Sequence, residues 1–441
     1  MPQVISPNTG LAIGAWEPTG GPDIAARLEG LPRGLQTLKD ASGRRQRLER
    51  LAATVAANKD AFTALIVAEV GKTPSEAADE VDYAVSFISF AVTAADHLEK
   101  ASERNGERAL RAVPVGPALL ITPFNDPLAG ITRKIAPALA CGCPAVVKPS
   151  SLSHLTAAKL FECIADAGIA DVIGLVNHSD RAVLDRLVRD PAFRVLSFTG
   201  STSTGTALAA TAAGSLKRLV LELGGNNPFL VIDGADVERA ATDAVARKLR
   251  AAGQACSAQN RIYVVENLHA AFRDALFERL SQVTYGVSDS GVAMGPVRTG
   301  QAVDTLRRLT QESASHGSVH TFGKVDASAA ATAFPPTVVE SDTALRVHEA
   351  FGPLMSVSPV RNRAEAFAIA AAEPQALACY VYGEPRAEEI DMLRFGSIGI
   401  NTTKIQGPDV PTGGFGKAGI GREGGRWGLE EFITTVNQRW A

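Results

Sequence analysis

The sequence predicts an α/β protein built on two parallel sheets, each wrapped by helices, and three observations carry that expectation. The 441-residue chain is long enough for two or three domains. After residue 117, short β-rich runs alternate with helical ones: "ALLITPF", "ITRKIAPALACG", "PAVVKPS", "HLTAAKLFECIADAG", "VIGLVN", "AVLDRLVRD", "RVLSFTG", "STGTALAATAAG" and "RLVLELGG". From residue 227 a second series of the same kind begins with "PFLVID", "DVERAATDAVARKLRAAGQ", "RIYVVE" and "LHAAFRDALFERLSQV", and ends with "ALACYVYG" and "GSIGINT". Strand, helix, strand at this spacing means parallel sheets, with ligands at the carboxyl ends of the strands.

Before the first series, residues 40–100 read as helix. Apolar residues recur at three and four in "RRQRLERLAATVAANKDAFTALIVAEVGK", and again behind a proline in "PSEAADEVDYAVSFISFAVTAADHLEK", so two long helices are expected. "ERNGERALRAVPVG" carries an Asn-Gly turn between short polar flanks, the mark of a protruding hairpin. Within the second series, residues 287–334 are loop-rich with scattered helix. "PDVPTGGFGKAGIGREGGRWG" holds too much glycine for core and is expected to form a loop closing over a site. The last residues, "LEEFITTVNQRWA", are expected to supply an edge strand.

Composition narrows the function classes. A net charge of −3 with no basic stripe argues against nucleic acid, and the expected partner is a small molecule. "MPQVISPNTGLAIGAW" lacks a basic segment followed by an apolar one, and the apolar run at residues 84–95 is too short to span a bilayer. A soluble cytoplasmic protein without membrane contact is therefore expected. The five cysteines, Cys141, Cys143, Cys163, Cys256 and Cys379, form no CxxC pair or disulfide framework, which fits reduced thiols. His316 and His320 are four apart, but "HGSVH" lies in the loop-rich part, so no metal site is expected.

A few residues stand where chemistry is expected. Cys256 in "RAAGQACSAQNR" follows Gly-Gln-Ala at the end of an expected helix, where a loop exposes a thiol. Its plain reading is a buried filler, which suits the other four cysteines in their apolar patterns. Glu222 in "LVLELGGNNP" ends a β-run before two glycines, either as a surface charge or as a base that activates water. Asn125 in "ITPFNDP" follows a strand; its amide can stabilise an oxyanion, and turn chemistry explains it equally well. "SFTGSTSTG", residues 197–205, offers N–H groups and a positive helix end to a phosphate, although it is neither a P-loop nor GxGxxG. Lys148 in "VVKPS" is either a ribose or phosphate ligand or a solvated lysine.

In this order "ITPFN", "VVKPS", "SFTGSTSTG", "LELGGNNP", "GQAC", "EAFGP" and "GIGREGG" resemble the NAD(P)-dependent aldehyde dehydrogenase superfamily, from about residue 6 to the C-terminus. The resemblance implies an aldehyde dehydrogenase-like α/β fold with two Rossmann-like domains. Residues 1–100 and 114–225 would form the cofactor-binding domain and residues 226–410 the catalytic domain. Residues 101–113 and 426–441 would form a small β element that builds a homodimer or homotetramer. The implied reaction is oxidation of an aldehyde to a carboxylic acid. Cys256 matches the nucleophile that forms a thiohemiacetal and then a thioester, with the oxyanion held by Asn125 and the Cys256 backbone N–H. Glu222 matches the base that activates water to cleave the thioester, and Glu423 a second carboxylate that relays protons in some members. Glu349 and Phe351 match positions at the nicotinamide ribose, and Gly200 and Ser201 positions beside the pyrophosphate.

The resemblance also bears on cofactor and substrate. NAD-preferring members often place a glutamate three residues after the lysine of "VVKPS". Here Ser151 stands there, beside Lys148, and leaves room for a 2′-phosphate, so NADP is expected to be used at least as well as NAD. "ITRKIAPALACGCPAVVKPS" and "KLRAAGQAC" are most similar to the succinate-semialdehyde dehydrogenase-like branch, which holds the substrate carboxylate with an arginine in each segment. Those positions are Arg133 and Arg250, and a short anionic aldehyde such as succinic semialdehyde is expected. The plain alternative makes Arg133 with Lys134, and Arg247, Lys248 and Arg250, solvated helix faces.

Three positions depart from the pattern: Asp126 stands where the family usually has an aromatic, Thr412 where it has Phe, and Gly407 where the branch often has serine. The first two are expected to make the tunnel more polar. Asp126 would repel an anion unless it pairs with Arg133 or Arg250, or it suits a hydroxylated aldehyde. A phosphonate or sulfonate aldehyde is an alternative substrate. A CoA-acylating relative is disfavoured by Glu222, and a catalytically silent structural member by the intact Cys256, Asn125 and Glu222.

Overall fold

The computed structural model describes residues 1–325, 330, 332–341, 343, 345–346 and 348–440. Residues 326–329 and 331 of the loop-rich segment, and Ala441 of the expected edge strand, lie outside the described residues.

The helical N-terminal part is more broken than the periodicity implies. A helix at Gly21–Thr37 precedes it; Gly-Pro at its start and Pro32 inside it hide the helical signal. Residues expected as one long helix form two, Ala41–Ala57 and Lys59–Val70, which meet at 67°. Asn58 sits at the break, and its Nδ2 donates to the Thr54 carbonyl at 2.8 Å, ending the first helix. The bend brings Leu51 and Val55 of one helix and Phe62 and Ile66 of the other into one core with Ala84 and Ile88. Those last two belong to Pro74–Thr93, which opens on a capping box between Thr73 and Glu76. Among the described residues no single helix is long and apolar enough to cross a membrane.

The first sheet has the strand order Gly419–Ile420, Arg218–Leu223, Val195–Gly200, Ala118–Ile121, Ala145–Lys148, Ile173–Leu175. The last five are mutually parallel, and the inner ones, Val195–Gly200, Ala118–Ile121 and Ala145–Lys148, are buried along most of their length, which is why they read as continuous apolar runs. Their register brings Gly200 beside Leu223 and Lys148 beside Ile121 at the carboxyl edge. The short Gly419–Ile420 strand comes from the Gly-rich segment near the C-terminus and runs antiparallel, with Gly419 opposite Glu222. That segment therefore docks on the sheet rather than only looping over it.

The second sheet has the order Val319–Thr321, Thr337–Val339, Leu354–Val360, Gln259–Val265, Asn227–Val231, Ala378–Tyr382, Ser397–Ile400. All its neighbours are parallel except Val319–Thr321, which is antiparallel. A third sheet is antiparallel throughout. Glu103–Asn105 and Arg108–Pro114 form the expected hairpin, and the C-terminal strand Ile433–Arg439 pairs along the whole of Arg108–Pro114.

Candidate active site

Two adjoining cavities open between the two parallel sheets, an outer one of about 450 Å³ and an inner one of about 380 Å³. Asn125, Asp126, Arg133 and Cys256 line both. They come from three segments: the turn after Ala118–Ile121, the helix Ala129–Ala140 that follows it, and the loop before Gln259–Val265.

The Cys256 loop is held from several sides. The helix Val237–Leu249 ends in the tight turn Arg250–Gly253, where Ala251 and Ala252 adopt φ of 49° and 53°, a conformation costly for residues with a Cβ. Glu76 Oε1 accepts from Ala251 N at 2.8 Å, and Gln254 both donates to the Ala251 carbonyl (3.0 Å) and accepts from Arg298 N (2.8 Å). Asn227 Nδ2 donates to the carbonyls of Cys256 and Ala258, each at 2.8 Å. Held this way, Cys256 is half-buried, while the other four cysteines are buried. Burial pushes its thiol up to about 12, and Arg133 is the main influence pulling it down. The Asn125 carboxamide makes no hydrogen bond to the described residues and faces the same cavities.

Glu222 and Glu423 share the inner cavity but differ in their partners. Glu423 Oε1 is bound by Lys134 Nζ and accepts from Ser197 Oγ at 3.3 Å, and Lys134 also donates to Ser197 Oγ at 2.7 Å. Glu222 is 5% exposed and its Oε1 has no hydrogen-bond partner among the described residues. Burial raises the Glu222 carboxyl well above the usual range and Glu423 adds to this, against Lys134, Arg133 and Arg422. Gly413 lies against Glu222; a Cβ there would stand 2.8 Å from Oε1, at a φ of 148° that disfavours any side chain.

The opposite wall of the inner cavity carries Gly200, Ser201, Glu349 and Phe351. Gly200 and Ser201 lead into the helix Thr202–Ala212, and Phe351 stands edge-on to Phe124 at 6.1 Å. Glu349 lies against Gly224, where a Cβ would stand 2.1 Å from Oε2 and push the carboxyl aside. Burial raises Glu349 from 4.5 to about 7, against the pull of Lys248. The folded state therefore keeps a proton that the unfolded chain releases above pH 4.5, so Glu349 stabilises least as pH rises through about 7. Thermal melts of the cofactor-free protein should fall between pH 5 and 7.5, and Glu349→Gln should flatten that fall; an unchanged slope would refute the assignment.

Burial corrects the solvated-face alternative for Arg133, Lys134 and Lys248, but not for Arg250. Arg133 is 9% exposed, Lys134 1% and Lys248 0%, so none of the three is a solvated side chain. The Arg133 guanidinium lies over the rings of Phe87 (5.0 Å) and Tyr83 (5.6 Å). It makes no hydrogen bond or ion pair with the described residues, and its Nε is buried and unpartnered. Arg250 is exposed and lines the outer cavity, as does Arg247, which is tied to Ser257. Asp126 pairs with neither arginine; Lys72 Nζ binds its Oδ1 at 2.7 Å and Glu80 Oε2 at 2.7 Å. Lys72, Tyr83, Phe87, Lys134 and Asn227 carry no local sequence signal for these roles, because their partners lie far away in the chain.

Other expected residues fall outside the two cavities. Lys148 ends its strand half-buried, and Ser151 opens a short turn, Ser151–Ser153, with Ser150 rather than Ser151 lining the inner cavity. Thr412 does not line the tunnel: it is buried, and its backbone pairs with that of Glu423 at 2.6 and 2.8 Å. Gln406, not Gly407, reaches the outer cavity.

Comparison with known proteins places this geometry. Residues 3–437 match the model of the aldehyde dehydrogenase family. The non-phosphorylating aspartate-semialdehyde dehydrogenase of Halomonas elongata is 37% identical over 88% of this chain and 82% of its own length. The NADP(+) succinate-semialdehyde dehydrogenase GabD of Escherichia coli is 32% identical over 98% of this chain and 92% of its own. The crystal structure of succinate-semialdehyde dehydrogenase from Burkholderia pseudomallei superposes with a TM-score of 0.94 at 32% identity, covering 100% of this chain and 94% of that one. A half-buried cysteine facing a free carboxamide and a carboxyl pair, in a chain matched almost end to end, belongs to the aldehyde dehydrogenase family, oxidoreductases acting on aldehydes.

Proposed function

We propose that the chain oxidises a short aldehyde carrying a carboxylate, such as succinic semialdehyde, to the acid with NADP as electron acceptor. Arg133 is the observation that carries the substrate class. It is a buried guanidinium with no hydrogen-bond acceptor among the described residues, at the junction of the two cavities beside Cys256. An unsatisfied buried donor costs about 1–3 kcal/mol and a charged one more, and an anionic substrate end removes that cost. Arg250 at the outer cavity offers a second contact.

In this reading the Cys256 sulfur, having lost its proton, adds to the aldehyde carbon. The oxyanion of the resulting thiohemiacetal accepts hydrogen bonds from the Asn125 amide and the Cys256 backbone N–H. A nicotinamide held beside Gly200, Ser201 and Glu349 would supply the acceptor for the hydride that the thiohemiacetal carbon loses as its oxyanion re-forms a carbonyl. With that carbon oxidised, Cys256 carries a thioester. Glu222 takes a proton from a water whose oxygen adds to the thioester carbon, and collapse releases the acid and returns the sulfur. Burial and the neighbouring Glu423 raise the proton affinity of Glu222, which strengthens it as a base toward water. Glu423, Lys134 and Ser197 offer a path along which its proton leaves.

The residues present fit a dinucleotide. Gly200 and Ser201 open the helix Thr202–Ala212, whose first N–H groups suit a pyrophosphate, and Glu349 against Gly224 faces the same cavity for ribose hydroxyls. Ser151 places no carboxylate near Lys148, which favours a 2′-phosphate, and the E. coli relative carries NADP(+) in its name. The same reading makes the three-stranded sheet the contact of a homodimer or homotetramer, because Ile433–Arg439 is paired on one side only among the described residues. It keeps the expectation of a reducing cytoplasm, in which Cys256 stays a thiol.

Arg133→Met tests the substrate class. The ratio of kcat/KM for succinic semialdehyde to that for butanal should drop about 30-fold, the equivalent of about 2 kcal/mol for one charge-assisted contact. Any change in Cys256 reactivity affects both aldehydes and cancels in the ratio, so an unchanged ratio sinks the anion reading.

A further inference from the structure

We infer that Arg298 is a positioning residue for the dinucleotide: its guanidinium ties the turn that follows Lys148 to the segment that anchors the Cys256 loop, so that the cofactor meets a turn already ordered. The inference rests on the dinucleotide reading above and adds a residue that lines neither cavity.

Arg298 belongs to one sheet by sequence and to the other by contact. In the chain it lies between Gln259–Val265 and Thr337–Val339, both strands of the second sheet. Its side chain ends on the first: Nε (3.1 Å) and Nη2 (2.7 Å) both donate to the carbonyl of Leu152. Leu152 sits in the turn Ser151–Ser153, between Lys148 at the end of its strand and the helix His154–Asp166. Arg298 is only 4% exposed, so water competes little for this contact, and a charged donor holds a carbonyl more firmly than a neutral one.

The turn has its own short-range bonds: Leu152 N donates to Ser150 Oγ at 3.2 Å, and Ser153 N to the Ser150 carbonyl at 3.2 Å. Such bonds shape a turn without fixing where it sits. Two charges from far along the chain fix its place. Glu69 accepts from Leu155 N (2.7 Å) and Thr156 N (2.9 Å) at the start of the following helix, and Arg298 takes Leu152. They are opposite charges within electrostatic reach of each other, so they brace the turn as a pair. Ser150 lines the inner cavity, which makes the placement of the turn part of that cavity's wall.

The backbone of the same residue serves the cysteine. Arg298 N donates to Gln254 Oε1 (2.8 Å), and Gln254 Nε2 donates to the carbonyl of Ala251 (3.0 Å), one of the two left-handed residues ahead of Cys256. Arg298 therefore joins the Cys256 loop by its main chain and the Lys148 turn by its side chain. Substitution separates the two roles, because it removes the guanidinium and keeps the N–H. Without the guanidinium the cofactor itself must order the turn, and that cost falls on binding rather than on chemistry at the sulfur.

The test compares wild type, Arg298→Met and Arg298→Lys, using the better of NADP and NAD and the better of succinic semialdehyde and butanal. Arg298→Met should weaken the Kd for the cofactor about tenfold, while kcat at saturating cofactor and the iodoacetamide labelling rate of Cys256 in cofactor-free protein stay within about twofold. Arg298→Lys keeps a charged donor for the Leu152 carbonyl and should recover most of the lost affinity. An unchanged Kd, a fall in kcat or a change in labelling as large as the change in Kd, or a lysine variant no better than the methionine one overturns the inference. A wild type that reduces neither NADP nor NAD overturns the dinucleotide reading itself, which keeps the two failures distinct. Should neither variant fold, amide hydrogen exchange in the wild type decides: saturating cofactor should slow exchange in residues 296–300 as well as in 150–156, and slowing confined to the latter, or absent from both, overturns the inference.

Discussion

Cys256→Ala is expected to lower kcat by roughly 10⁴-fold or more while the Kd for NADP stays within about twofold. The size of the loss follows from the chemistry, because without the sulfur no covalent intermediate forms and the Asn125 amide has no oxyanion to hold. The small effect on binding follows from the geometry. Gly200 ends its own strand, Ser201 caps the helix Thr202–Ala212, and Glu349 lies against Gly224, and none of the three bonds to the cysteine among the described residues. A companion measurement is mass-spectrometric labelling of the wild type with iodoacetamide. Cys256 should be modified before Cys141, Cys143, Cys163 and Cys379, all of which are buried. Its labelling rate should rise steadily with pH well above neutrality, because burial pushes the thiol up to about 12. A variant that keeps turning over, or a wild type labelled first elsewhere, would falsify the nucleophile assignment.

Glu222→Gln should produce one equivalent of reduced cofactor per active site and then slow by about 10²- to 10⁴-fold, the range of a general base. The first half of the reaction needs the sulfur and the oxyanion donors, while hydrolysis of the thioester needs a group that takes a proton from water. Of the pair Glu222 and Glu423, Glu222 has the free oxygen, whereas Glu423 is tied to Lys134 and Ser197. Rapid-quench measurement of the burst separates the steps. Steady turnover without a burst would assign the base elsewhere, and Glu423→Gln is the first variant to compare.

The parallel-sheet architecture is legible in the sequence because strands buried on both faces must be apolar along their length, and the chain between them must be helical to return to the same edge. Glu222 and Lys148 are legible on the same ground, as polar residues closing apolar runs. The break at Asn58 is not, because the residues on both sides have helical periodicity and only the shared core forces them to 67°. The Gly-rich C-terminal segment reads as a loop, and its pairing of Gly419 with Glu222 depends on a strand some two hundred residues earlier.

Local pattern by itself determined the order of elements, the ends of the strands where polar chemistry gathers, and the short list of residues from which a site could be built. Only the tertiary structure decided which of those charges have partners. Lys134 and Lys248 turn out buried and bonded, Asp126 is claimed by Lys72 rather than by an arginine, and Arg133 is left with two aromatic rings and no acceptor among the described residues. The reason is physical: backbone periodicity is set by neighbours three or four residues away, whereas the solvation and pairing of a charge are set by whatever the fold brings within a few ångströms, from anywhere in the chain.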